Sequence, residues 1–73
     1  MKNKYEIQIM SDVDYEELIV EINYEGKYLA LIDQEEGKNS LRIQFNDSLK
    51  DLIFSYTELL DVLSEAKKQL LEE

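Results

Sequence analysis

Asp12-Val13-Asp14-Tyr15-Glu16 places carboxylates at the first, third and fifth positions of a short segment, the spacing with which an EF-hand loop begins. Calcium would then require glycine at the sixth place and glutamate at the twelfth. The chain has Glu17 and Asn23 there, and the second half reads as a strand, so the match fails and solvated acids are expected. A second acidic run, Asp33-Gln34-Glu35-Glu36-Gly37, reads as a polar turn. Paired carboxylates can do acid–base work, as in glycoside hydrolysis, but only in a cleft that pushes their pKa values apart. Histidine and cysteine are both absent. That removes the commonest general base, the thiolate nucleophile and the usual zinc, copper and iron ligands. No glycine-rich turn precedes a helix to cradle a phosphate. The expectation is a non-enzymatic protein with no catalytic residue, no metal site and no cofactor.

The same acids form a pattern of another kind. Between Tyr5 and Gly26 stand Glu6, Asp12, Asp14, Glu16, Glu17, Glu21 and Glu25, with no lysine or arginine among them. Over the 73 residues, 17 acids against 8 bases give a net charge of -9. Such a surface repels a phosphate backbone and attracts a basic protein face. The bases are scattered singly apart from Lys67-Lys68, so the basic stripe of a nucleic-acid reader is missing and no direct nucleic-acid binding is expected. No apolar run approaches the ~20 residues that span a bilayer, and anionic lipid would repel the acids, so no membrane partner is expected either. Without cysteine there is no disulfide framework. Met1-Lys2-Asn3-Lys4 leads into a strand pattern without the apolar stretch of a leader, and the expected location is the cytoplasm.

One small domain over residues 1–73 must position these acids. Tyr5, Ile7 and Ile9 alternate with Glu6, Gln8 and Met10, the period of a half-buried strand over about 4–10. A second strand is read over about 17–24 and a third over about 27–33, joined by Glu25-Gly26, a two-residue hairpin signal that needs positive φ. If Tyr24 pairs with Lys27, Ile22 falls opposite Leu29 and Val20 opposite Leu31, with Leu18, Val20, Ile22, Leu29 and Leu31 sharing the core face. A fourth strand over about 41–46 turns Leu41, Ile43 and Phe45 inward. Leu52-Ile53-Phe54 is read either as a short fifth edge strand over 52–54 or as the lead-in to a helix. Ser55 and Glu58 match a capping box, and Leu59, Val62, Leu63, Ala66 and Leu70 recur at helical spacing over about 56–71. The predicted fold is α+β: a four-stranded, or five-stranded, antiparallel β-meander with one C-terminal helix packed on one face.

That register leaves a second face uncovered. It carries Ile19, Tyr28, Ala30 and Ile32, extended by Met10, around Glu21 and Asn23. An apolar patch of this kind marks an interface. The first expectation is therefore a small acidic protein-binding module. In it Ile19, Tyr28, Ala30, Ile32 and Met10 anchor a partner with a basic or mixed surface, and the seven acids steer the encounter. The alternative is a homodimeric structural or housekeeping domain that uses the same face or pairs its edge strands.

The residues Ser11-Asp12-x-Asp14-Tyr15-x-Glu17-Leu18, Glu21-Ile22, Gly26-Lys27, Leu31-Ile32-Asp33-Gln34-Glu35-Glu36-Gly37 and the helix Leu59–Leu71 with Glu65-Ala66-Lys67 carry a resemblance. Nearly the whole chain resembles small, largely uncharacterised bacterial ββββα proteins, which have no assigned active site to carry over. In size and acidity it is also similar to immunity proteins and phage anti-defence proteins, anti-CRISPRs included. That similarity implies an inhibitor that occludes a basic site on a larger target. Side chains on one face of a strand repeat every ~6.6–7 Å, close to the phosphate spacing along one DNA strand, which would suit mimicry.

Overall fold

The computed structural model describes residues 4–72; of the amino-terminal Met1-Lys2-Asn3-Lys4, only Lys4 lies among them. Four strands, β1 (Tyr5–Met10), β2 (Ile19–Tyr24), β3 (Lys27–Asp33) and β4 (Arg42–Phe45), are followed by one helix, α1 (Tyr56–Glu72). The strands form one antiparallel sheet in the order β1-β2-β3-β4, the α+β meander that the alternation predicts. Among the described residues no helix is long and apolar enough to cross a membrane.

The β2–β3 hairpin turns on Glu25 and Gly26, with Tyr24 opposite Lys27. Both turn residues take positive φ, 49° and 81°, the left-handed pair that matches strand twist. Beyond the turn the expected register fails. Asn23 still faces Tyr28, but Ile22 faces Ala30 and Val20 faces Ile32, with a slip between Ile22 and Asn23. Leu29 is the extra residue of a β-bulge, so Leu29 and Ala30 turn to the same side, both buried. Asn46 holds the bulge: its amide donates to the Leu29 carbonyl at 2.7 Å and its side chain to the Tyr28 carbonyl at 2.8 Å.

The core lies between the sheet and α1. Val20, Ile22, Leu29, Ala30 and Ile32 from the central strands meet Val62, Ala66 and Leu70, one stripe of the helix, with Leu59 and Leu63 packed beside it. Each large apolar side chain withdrawn from water there contributes roughly 1.5–3 kcal/mol against chain entropy. Ser55 caps α1, its Oγ accepting from the Glu58 amide at 3.3 Å. Leu52–Phe54 forms no strand. It is the lead-in to α1, fixed where the Phe54 ring meets Tyr24 edge-on at 5.0 Å, and Tyr24 in turn packs on Tyr5 at 4.9 Å. The helix lies chiefly over β1 and β2, which leaves the inner side of β4 thinly covered.

Candidate functional site

The acidic loop between β1 and β2 is built by short-range and long-range hydrogen bonds together. Asp12 closes its first turn: Oδ1 accepts from the Asp14 amide at 2.9 Å and the carbonyl from the Tyr15 amide at 3.0 Å. An aspartate side chain that mimics a backbone turn is the usual device in such a position. The second half of the loop is held from the β3–β4 connection. Glu35 offers its two oxygens to successive amides, Glu16 at 3.0 Å and Glu17 at 3.1 Å, and Gln34 donates to the Leu18 carbonyl at 3.0 Å. Glu35 is itself placed by Asp33, whose Oδ1 accepts from the Glu35 amide and from Arg42 Nε, both at 3.1 Å. Hydrogen bonding to Asp33 and then its negative charge raise the Arg42 pKa, keeping the guanidinium charged. A polar chain thus runs from β4 through Asp33 and Glu35 to the loop, and it leaves Asp12, Asp14, Glu16 and Glu17 in water with Val13 fully exposed at the tip.

The other predicted acids continue this surface. Glu6 faces Asn23 and Gln8 faces Glu21 on the side of the sheet away from α1. Glu21 accepts from Asn23 at 3.3 Å, and Glu25 sits exposed on the hairpin at the far end. The seven steering candidates therefore spread along the β1–β2 half of the molecule. They do not converge on one point.

The predicted apolar anchors are not assembled. Ala30 and Ile32 lie on the helix side and are buried, because the bulge at Leu29 reverses the alternation of β3. Ile19 does sit on the outer face opposite Met10, but it is 1% exposed. The loop that precedes it turns back over this face. Its Tyr15 shares a shallow cleft with Asp33, Arg42 and Gln44. Tyr28 and Met10 remain half-buried. Burial, and then the neighbouring Glu21 and Tyr15, raise the Tyr28 phenol above its ordinary pKa. The exposed five-residue patch of Ile19, Tyr28, Ala30, Ile32 and Met10 does not exist.

Exposed apolar surface is found elsewhere. The alternation of β4 predicts buried Ile43 and Phe45, yet they are 41% and 51% exposed. Ile43 borders a groove of about 270 Å³ with Leu41, Leu60 and Leu63, and Phe45 borders a second of about 250 Å³ with Leu49, Leu52 and Phe54. No sequence signal could show this, since it depends on which strands α1 covers. Among the described residues no group of three His, Cys, Asp or Glu side chains is arranged to hold a metal ion. Fold and loop together define a small two-layer α+β domain that presents a preformed acidic loop. No protein family, curated protein or solved structure matches the chain.

Proposed function

We propose that this chain is a non-enzymatic protein-binding module that uses its acidic loop, residues 12–17, to engage a basic or mixed surface of a larger protein, in the manner of an inhibitor or immunity factor. The supporting observation is the Glu35 clamp on the amides of Glu16 and Glu17. A loop whose backbone is already ordered before contact avoids the roughly 1–2 kcal/mol of backbone entropy that each newly ordered residue costs on binding. The clamp faces the loop backbone and leaves the carboxylates of Asp14, Glu16 and Glu17 exposed, ready to steer a cationic partner, with Val13 as the apolar tip. The shallow cleft beneath contains one carboxylate, Asp33, already committed to Arg42 and to a backbone amide. That arrangement favours a binding role over acid–base chemistry.

The test is retention of proteins from a lysate of the source organism on immobilised wild type and on an Asp14→Lys/Glu16→Lys variant. Thermal denaturation serves as a check that the variant folds. A basic protein held at low salt, released at high salt and lost with the charge reversal is the expected outcome. Retention that ignores the reversal, or no retained protein at all, would count against the loop.

A further inference from the structure

We infer that β4 is a homodimerisation edge, at which two copies of this chain pair their Arg42–Phe45 strands antiparallel about a twofold axis through Gln44. The strand lies at the rim of the sheet and all four of its residues are exposed; it is short and begins with Arg42, but it has no proline, no bulge and no lysine to block pairing. Its main-chain groups are directed suitably. The Asn46 amide points inward to Leu29, so the alternation of an antiparallel ladder turns Gln44 and Arg42 inward as well. The N–H and C=O groups of Ile43 and Phe45 are therefore left pointing outward.

A register centred on Gln44 uses every one of those groups. Ile43 falls opposite Phe45 of the second copy, and each such pair exchanges both its hydrogen bonds. Gln44 meets Gln44 across the axis. Arg42 meets Asn46, so the two guanidiniums are kept apart. A twofold perpendicular to the sheet keeps both helices on the same side, and the exposed Ile43 and Phe45 side chains of both copies meet there in one apolar seam. Leu60 and Leu52, each 45% exposed, flank that seam.

Electrostatics decides why the occupant is a second copy. A chain of charge -9 repels itself over most of its surface. From Lys38 to Asn46 it has no acid. The two ion pairs among the described residues flank this strand: Arg42 with Asp33 at 3.1 Å, and Lys50 with Asp47 at 4.0 Å. The β4 edge is thus close to neutral, whereas the opposite edge, β1, carries Glu6 and borders the acidic strip. Edge pairing at β4 brings the apolar side chains together on the helix side, with Glu6 of β1 at the outer ends of the joined sheet.

The dimer uses the main-chain edge and the helix side of β4, whereas the acidic loop reaches the outer face of that strand through Tyr15, and the dimer's test is independent of the binding partner. Gln44→Cys supplies the molecule's one thiol, placed on the axis in a non-hydrogen-bonded pair with Cα atoms about 4.5 Å apart, within the span of a disulfide. Under mild oxidation it should form a covalent dimer, whereas Gln8→Cys on the β1 edge should not. Sedimentation of wild type should give a dimer, and the Ile43→Ser/Phe45→Ser double variant should raise its dissociation constant by about tenfold or more. A wild type that stays monomeric at millimolar concentration, or a Gln44→Cys chain that cross-links no faster than Gln8→Cys, would overturn the inference. Loss of the dimer with capture of a basic protein intact would leave the loop's role untouched.

Discussion

Tyr5 and Tyr28 are the phenols whose ionisation the fold opposes. Burial is the larger cause for both; Tyr24 and Glu58 add to it at Tyr5, and Glu21 and Tyr15 at Tyr28. Each folded-state pKa stands above the ordinary 10.0, and the unfolded chain returns to that value. The sign follows: the stabilisation is complete below about pH 10 and is lost as the pH rises through the raised values. Tyr5 and Tyr28 should therefore give a late phase in a titration of phenolate absorbance. Tyr28→Phe should remove one of them, and the unfolding free energy in urea should stay flat to about pH 10 and then fall. The absence of any phase above the ordinary phenol value would refute the burial argument. At this scale some roles are legible from neighbours in the chain, as with Ser55 and Glu58, whose hydrogen bond forms three residues apart. Glu35 is not legible in the same way, because the amides it binds are 18 and 19 residues away.

Strand and helix boundaries follow from local patterns, and so does the turn that joins β2 to β3. Gly26 holds φ at 81°, and an added Cβ would meet nothing within 4 Å. Its requirement is conformational and not one of space. Gly26→Ala should cost about 1–2 kcal/mol in urea denaturation, and Gly26→Asn less, since asparagine tolerates the left-handed region. Equal losses for the two would show that the turn does not impose this geometry. The register beyond the turn was hidden for a definite reason. Leu29-Ala30-Leu31-Ile32 is apolar at every position, so alternation cannot tell its two faces apart. The bulge that decides between them is secured by Asn46 from a different strand. The burial of Ile19 is not legible for a related reason, since a loop covers it and loops carry no period. The helix stripe of Val62, Ala66 and Leu70 is legible in the sequence, because its 3.6-residue spacing is a property of α1 alone.

Charge acts over the molecule as a whole, and here its scale can be compared with the size of the fold. The folded chain has a radius of gyration of 12.1 Å, whereas an unfolded chain of this length spreads to roughly 26 Å. Folding therefore brings the 17 acids closer together, and the two ion pairs, one of them a long and exposed Lys50–Asp47 contact, offset little of that repulsion. At 0.01 M salt the Debye length of ~30 Å is close to the longest dimension of the molecule, 32 Å; at 0.1 M it falls to ~10 Å and only near neighbours interact. Raising sodium chloride across that interval should stabilise the fold, by on the order of 1 kcal/mol, with little further gain above it. The measurement is the urea midpoint at the lowest workable protein concentration, because screening also favours pairing at β4 and would otherwise add mass-action stabilisation. Were the ion pairs the dominant electrostatic contribution, salt would lower the midpoint. A rise at low concentration, steeper at high concentration in wild type but not in the Ile43→Ser/Phe45→Ser variant, would separate the repulsion within one chain from the association of two.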